Sequence, residues 1–166
     1  MSNLTDFIQS STSELITDTT PQLGGDLDTN GKSIEINSAA GGSDQTASGI
    51  ISTLTAGEIF AFGEVGYLKS DGKYWLADAS VETTMPVVVM ALAAISADAT
   101  GSFLKRGFVR DDSWNWTVGG IIYASITGGS LSQTAPSTSG EIIQIVGYAY
   151  SADIMFFNPQ YGLLEI

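Results

Sequence analysis

The sequence contains neither cysteine nor histidine, and it has only six Lys and Arg residues beside 18 Asp and Glu residues. Without Cys and His, the chain forms no disulfide, no Ser-His-Asp triad, no cysteine nucleophile and no zinc or iron–sulfur site that needs thiolate or imidazole ligands. Carboxylate chemistry and metals held by oxygen ligands remain. No Gly-rich phosphate-binding loop is present either. We therefore expect a protein that is not an enzyme and has no cofactor.

The shortage of positive charge also limits the partners of the chain. Its formal net charge is −12 and its isoelectric point is about 4.1, whereas a nucleic-acid-binding protein needs clustered Lys and Arg to neutralise phosphates. Only Lys105 and Arg106 are adjacent. The longest apolar run, Val87 to Ile95, has nine residues, and a membrane-spanning helix needs about 20. We expect neither nucleic acid nor a membrane as a partner.

Residues 1–48 differ in composition from the rest of the chain. The stretches 17–25 (TDTTPQLGG) and 38–48 (SAAGGSDQTAS) consist mainly of Thr, Ser, Gly and Ala. Such segments bury too little apolar surface to offset the entropy lost on ordering them. We therefore interpret residues 1–48 as an extended, mostly irregular N-terminal arm and linker, in which residues 4–16 are the one candidate helix.

Residues 49–166 predict an all-β domain, a compact β-barrel or sandwich. They consist of short apolar runs, including GEIFAF at 57–62 and SWNWTV at 113–118, with turn residues at a spacing of roughly 8–12 residues that is typical of such folds. Asp71-Gly72 predicts the clearest hairpin, because Gly accepts the positive φ of a tight turn. Gly147 interrupts an apolar run and predicts a bulge or a close approach of two backbones.

One segment resembles half of a calcium-binding loop. Asp26, Asp28 and Asn30, followed by Gly31, match the start of an EF-hand loop, whose alternating oxygens converge on the ion. The bidentate Glu expected at the twelfth position is missing, because Asn37 occupies that position. A turn built by Asp and Asn side chains is the interpretation that we favour, with calcium binding as the alternative, and no other metal site is predicted.

The three tryptophans are a second group of candidates. Trp114 and Trp116 are two residues apart and share a face if the segment is extended, whereas Trp75 lies in the predicted hairpin. Such side chains either stack on sugars or pack against a sheet or a neighbouring subunit, and we favour packing because aromatic residues are enriched at protein interfaces. The adjacent pair Asp111 and Asp112 points to opposite faces of a strand, which does not suit a catalytic acid and base.

Two parts of the chain resemble structural proteins of bacteriophages. Residues 20–34 (TPQLGGDLDTNGKSI) resemble a segment common in tail fibres and other phage structural proteins, especially those of marine and cyanobacterial phages. Residues from about 63 to the end resemble small head-decoration and fibre domains, through the patterns TVGG-x-(I/L)-Y and TAPSTSG-x-x-(I/V)-Q-(I/V)-VG and the late FNP. Together these parts cover most of the chain.

The resemblance implies a non-enzymatic virion structural protein that forms a homotrimer of compact β domains. Within that class we favour a decoration (cement) protein on the outside of the capsid, which stabilises the shell of the major capsid protein. The residues expected to anchor the arm to that protein, or to other virion structural proteins, are Thr20, Pro21, Gln22, Leu23, Gly24 and Gly25.

Other functions remain open, and the charge bears on how the arm attaches. The alternatives are a short tail, neck or head fibre and, in a different class, a carbohydrate-binding module. For the virion protein the expected location is the virion, with assembly in the host cytoplasm. Residues 1–66 hold nine acidic residues and one basic residue, a net charge of −8, so we expect the arm to meet a more basic surface.

Overall fold

Short apolar runs separated by turns form strands throughout residues 35–166, the part of the chain that the computed structural model describes. The predicted all-β fold is confirmed, with one short 3₁₀ turn at Glu82–Thr84 as the helical element of these residues. The strands are β1 (Thr46–Thr55), β2 (Val65–Leu68), β3 (Tyr74–Leu76), β4 (Val89–Ala91), β5 (Thr100–Arg110), β6 (Ile121–Ala124), β7 (Leu131–Ser132), β8 (Ile142–Ile143), β9 (Ile145–Ala149), β10 (Ile154–Phe157) and β11 (Leu164–Glu165).

Nine of these strands form one curled antiparallel sheet, which has the shape of half a barrel. The strand order is β3-β2-β4-β5-β10-β9-β6-β7, and β1 pairs with β5 along its whole length. Two strands share the other edge of β5. β4 pairs with Phe103 and Leu104 of β5, and β10 pairs with residues 107–110 of β5. The long strand β5 therefore joins the two halves of the sheet, while β8 and β11 form a separate pair.

Two buried clusters lie on opposite faces of β4 and β5. Leu104 belongs to the main cluster and the adjacent Phe103 to a smaller one, where its ring meets Phe60 edge to face at 5.3 Å. Neighbouring residues of a strand point to opposite faces, so β4, whose three residues are all buried, is covered on both sides. This double burial explains the apolar residues of β4 at the centre of the run 87–95, whereas Ala93 and Ala94 in the same run are exposed.

A buried glutamine connects three segments inside this core. Gln144, with no exposed surface, accepts a hydrogen bond through Oε1 from the Val87 amide at 2.7 Å. Its Nε2 donates to the Val87 carbonyl at 3.0 Å and to the Gln160 carbonyl at 2.6 Å. The side chain thus links the junction of β8 and β9 to the segment before β4 and to the segment before β11.

Two local predictions are confirmed. β2 and β3 pair as a hairpin with Leu68 opposite Tyr74, and Gly72 in the turn has a φ of 80°. At Gly147 the pairing of β9 with β6 changes register, and a Cβ at that position would collide with the Phe156 carbonyl oxygen of β10. Gly147 therefore permits a close approach of two backbones, as its position in the apolar run indicates.

Two of the apolar runs are not strands. Residues 57–62 form a loop in which Phe60 bridges to Ile95, and residues 113–118 follow a turn without joining a ladder. In the second segment the Trp116 amide donates to the Ala152 carbonyl at 2.9 Å, an isolated hydrogen bond. Their aromatic side chains pack in or against the buried clusters, whereas Ile59 and Val118 are exposed. An apolar run here therefore indicates aromatic packing but not strand pairing.

The β unit begins before the predicted boundary at Gly49. A compact unit extends from Ile36 to Ile166, and β1 starts at Thr46 after a turn. Hydrogen bonds hold this turn: the Asn37 amide donates to Ser48 Oγ at 2.9 Å, and the Asp112 amide donates to Asp44 Oδ1 at 2.8 Å. Residues 36–48 therefore belong to the domain. The composition of a segment indicates how much apolar surface it can bury, but it does not reveal hydrogen bonds of this kind. The candidate helix 4–16 lies outside the described residues.

Candidate functional site

The outer side of the sheet carries an exposed aromatic face, formed by Phe108, Ile121, Tyr148, Tyr150 and Phe156. Four of these residues are cross-strand neighbours in one row, in the order Phe108 on β5, Phe156 on β10, Tyr148 on β9 and Ile121 on β6. The ring centroids of Phe108 and Phe156 are 4.8 Å apart, those of Tyr148 and Phe156 are 5.5 Å apart, and those of Phe108 and Tyr150 are 5.2 Å apart. The rings on β5, β10 and β9, with Tyr150 just after β9, form one apolar surface that Ile121 extends onto β6.

Much of this aromatic face is open to solvent. Ile121, Tyr148 and Tyr150 expose 45%, 44% and 49% of their surface. The residues that flank Phe108, Tyr148 and Phe156 within their strands are buried, so these strands are apolar on both faces. An antiparallel sheet that faces water normally carries polar residues on its outer side. The composition of this face is therefore that of a surface that another molecule covers.

A pair of opposed glycines positions one edge of the aromatic face. Gly49 of β1 lies directly opposite Gly107 of β5, and a Cβ on either residue would collide with the backbone of the partner strand. Gly107 also has a φ of 153°, a conformation that residues with side chains rarely adopt. Arg106 and Phe108, on either side of Gly107, both contact Phe156, with the Arg106 guanidinium carbon 5.7 Å from the Phe156 ring centroid.

The aromatic face carries no negative charge within its own strands. None of β1, β5, β6, β9 and β10 contains Asp or Glu, although the chain as a whole has a net charge of −12. Lys105 and Arg106 are both exposed on β5. Arg110, at the end of β5, pairs with Asp112 through Nε and Oδ1 at 2.6 Å, and this contact raises the pKa of Arg110. The surface thus offers apolar contact with a cation at its edge.

Trp114 and Trp116 share a face, as their spacing predicts. Their ring centroids are 5.4 Å apart, and together with Phe62, Glu64 and Leu131 they line a shallow groove of about 270 Å³. Both rings are partly buried and pack against the main cluster. Packing is therefore the main role that the structure shows for them, and the uncovered parts of the rings form one wall of the groove.

The polar groups beside these tryptophans serve mainly to build the turn before them. Asp111 is buried, and its Oδ1 accepts hydrogen bonds from the Ser113 amide at 2.8 Å and the Ser113 hydroxyl at 2.5 Å. Asp112 pairs with Arg110. Within the described residues, Trp116 Nε1 is a buried donor that has no hydrogen-bond partner. The two carboxylates stabilise this corner of the fold, and Trp116 Nε1 is the one polar group that it leaves unsatisfied.

Trp75 is held inside the β2–β3 hairpin. Its Nε1 donates to Asp71 Oδ2 at 3.1 Å, and Lys69 Nζ lies 4.1 Å from the ring centroid. The ring also packs so close to Gly57 that a Cβ there would collide with it. The pKa of Asp71 is lowered, first because the Lys73 amide donates to its carboxylate and then because Trp75 does. These contacts occupy the ring and leave little of it for stacking on a sugar.

Two S-x-x-K tetrapeptides, Ser70–Lys73 and Ser102–Lys105, have the spacing of a Ser-Lys catalytic pair. Lys73 Nζ instead donates to Asp98 Oδ1 at 2.6 Å. Ser102 and Lys105 both lie on β5, and no hydrogen bond joins their side chains within the described residues. Neither tetrapeptide brings a serine and a lysine together in the way that nucleophilic catalysis requires.

Several predicted site residues lie outside the described part of the chain. They are the calcium candidates Asp26, Asp28 and Asn30 and the arm residues 20–25. Within residues 35–166, no group of three or more acidic side chains is placed to hold a metal ion. No helix of this part is long and apolar enough to cross a membrane.

Comparison of the chain with known protein families, with curated protein sequences and with solved structures finds no match. The aromatic face and the Trp114–Trp116 groove are therefore interpreted from their own geometry. Sequence reasoning found the tryptophans but missed the face, because its residues come from four strands that only the folded sheet brings together.

Proposed function

We propose that this chain is a non-enzymatic structural protein of a bacteriophage virion, a trimeric decoration protein bound to the outside of the capsid. The segments 20–34 and 63–166, which resemble phage appendage and decoration proteins, support the phage assignment. The observation that carries the structural role is the aromatic face, because the largest continuous apolar patch on a protein surface is often an interaction site. Such a face serves adhesion and packing.

The two parts of the chain have different tasks in this proposal. The β domain oligomerises and forms the body of the decoration. The arm, with the anchoring residues 20–25, binds the major capsid protein. Because residues 1–66 have a net charge of −8, the matching capsid surface is expected to be basic, and the attraction between the two surfaces weakens with salt.

A co-sedimentation experiment tests this proposal. Capsids that lack the protein are mixed with the full chain or with a variant that begins at Ile36, where the compact unit starts. The full chain is expected to sediment with the capsids and the truncated variant to stay in the supernatant. Circular dichroism and thermal unfolding of the truncated variant are the controls for its fold. Failure of the full chain to bind capsids refutes decoration, and equal binding by both chains refutes the arm as the anchor.

A short tail, neck or head fibre is the nearest alternative within the same class. It shares the trimeric β domain and the arm but differs in its place on the particle. Localisation of the protein on intact virions separates the two functions, because a decoration protein follows the symmetry of the shell whereas a fibre is confined to a vertex, the neck or the tail.

Carbohydrate binding is a second candidate that one observation favours. The groove of about 270 Å³ combines two tryptophan rings with the Glu64 carboxylate, and aromatic rings with polar neighbours are the usual means of holding a sugar. Titration with host surface polysaccharide tests this function. Trp114→Ala is expected to weaken binding at least ten-fold, whereas Tyr161→Ala, a change at an aromatic residue that is 75% exposed, is the control. Absence of binding by the wild type ends the idea.

A further inference from the structure

We propose that the aromatic face is a contact between copies of this chain, and that the occupant of the face in the assembled protein is a second copy. The proposal rests on the proposed function only for the number of copies, which is three in a trimeric decoration protein. The face itself is an observation on the isolated chain: Phe108, Ile121, Tyr148, Tyr150 and Phe156 lie in one surface across β5, β10, β9 and β6.

The size of the face fits a contact between folded subunits. Ile121, Tyr148, Tyr150 and Ile50 each expose between 44% and 55% of their surface, which corresponds to roughly 100 Å² for each side chain. Ile50 extends the face onto β1, since it is paired with Arg106. The total of about 400 Å² is close to the apolar share of a standard interface, in which each partner buries about 800 Å² and a little over half of that area is non-polar.

The charge distribution is compatible with a second copy as the occupant. Two copies of a chain with a net charge of −12 repel each other wherever their carboxylates approach. The five strands β1, β5, β6, β9 and β10 contain no Asp or Glu, a property that they share with the other described strands except β11. Two copies can therefore meet at this face without bringing carboxylates of these strands together. The basic surface expected on the capsid would bind acidic residues. The aromatic face lacks them, and residues 1–66 contain them.

The residue types are also those of a protein interface. Interface cores are enriched in Tyr, Phe and Arg and depleted in acidic residues, which describes Tyr148, Phe156 and Arg106. Four of its five residues lie on paired strands, and Tyr150 follows β9 directly, so little conformational entropy is lost when the face is covered. A charge-poor surface of this kind suits docking against another folded surface.

The test measures the mass of the purified full chain in solution by sedimentation equilibrium at micromolar concentrations. The wild type is expected to be an oligomer, and Ile121→Glu and Tyr148→Glu are expected to be monomers, because each places a carboxylate inside the contact. Ile59→Glu is the matched control: Ile59 is 71% exposed and lies in the loop between β1 and β2. It should assemble like the wild type.

Near-ultraviolet circular dichroism shows whether each variant is folded. If a Glu variant unfolds, the milder Tyr148→Ser replaces it and is expected to weaken self-association about thirty-fold, the loss that is typical of a central interface tyrosine. A monomeric wild type overturns the proposal. So does a folded face variant that assembles as well as the wild type, or an Ile59→Glu control that dissociates as readily as the face variants.

Salt and capsid binding separate this proposal from the proposed function. Raising the salt concentration screens the repulsion between copies, so self-association through the face should hold or strengthen, whereas capsid binding through the acidic arm should weaken. Self-association without capsid binding leaves the face proposal intact and refutes decoration. A monomeric chain that still binds capsids refutes the face proposal alone.

Discussion

Replacing Gln144 by leucine tests whether this buried side chain holds the core together. In the wild type, its amide group makes three hydrogen bonds, two with the Val87 backbone and one with the Gln160 carbonyl. Leucine has a similar size but no polar atoms. The change Gln144→Leu therefore leaves the Val87 amide and carbonyl without these partners in the interior of the domain, and it also removes the bond to the carbonyl of Gln160, an exposed residue.

The expected loss of stability is large. Each buried group that is left without its partner costs about 1–3 kcal/mol, and the transfer of a leucine side chain into the core offsets part of this cost. We expect the free energy of unfolding to fall by about 3–5 kcal/mol, from a total that is about 5–15 kcal/mol for a typical domain. The variant should be folded but marginal at ambient temperature.

Gln133 provides a matched control for this substitution. Its Oε1 accepts from the Thr117 amide at 2.8 Å and its Nε2 donates to the Thr117 carbonyl at 2.9 Å, a pairing like that of Gln144 with Val87 but near the surface. In Gln133→Leu, water replaces these bonds, so the free energy of unfolding should fall by less than about 1 kcal/mol. Urea unfolding, monitored by circular dichroism, measures the free energy of unfolding of both variants. Equal losses in the two variants would refute the reasoning, because burial would then not matter.

Three further predictions concern the backbone, the pH dependence and the arm. Gly107→Ala should destabilise the fold by about 3 kcal/mol or more, because Gly107 has a φ of 153° and a new Cβ would collide with the Ser48 carbonyl; thermal unfolding measures this. The pKa of Glu141 lies below its ordinary value of 4.5, first because the Thr138 amide donates to its carboxylate. The ionised Glu141 therefore stabilises the fold above pH 4.5, and this stabilisation is lost as the pH falls through the lowered pKa. In urea unfolding, the difference in free energy of unfolding between wild type and Glu141→Gln should shrink on acidification. Capsid binding should fall as salt rises, in co-sedimentation at increasing ionic strength.

Local signals predict the parts of the fold that depend on a few consecutive residues. Gly72 marks the β2–β3 hairpin because the turn needs its positive φ, and Gly147 marks a close backbone approach within an apolar run. The overall all-β class follows from repeated short runs of this type. The turn at Gly72 has its cause within the local segment, and at Gly147 the glycine itself marks the approach although the strand that it meets is distant in the sequence.

The aromatic face depends on distant pairings and was not predicted. Phe108, Tyr148 and Phe156 come together only because β10 lies between β5 and β9. One local signal was present: IMFF and IIYA are apolar at successive positions instead of alternating, which indicates strands that are covered on both faces. The tryptophan segment 113–118 gave the opposite error, since its two tryptophan rings are partly buried against the main cluster although its backbone joins no sheet.

The start of the domain also depended on long-range contacts. The polar turn that ends at Gln45 is ordered because Asp44 accepts a hydrogen bond from the Asp112 amide, 68 positions away in the sequence. Gln144, by contrast, stands in the run IIQIV, where a single polar residue between apolar neighbours indicates a buried hydrogen-bonding role. Its partners, Val87 and Gln160, are visible only in the folded chain.

Cryo-electron microscopy of the intact virion tests the central claim most directly. A decoration protein should give trimeric density on the outer surface of the capsid, on three-fold or quasi-three-fold axes, with the aromatic faces of the copies turned toward one another. Density confined to the neck, the tail or the baseplate would contradict decoration and favour the fibre, and absence of the chain from the particle would contradict a virion structural role altogether.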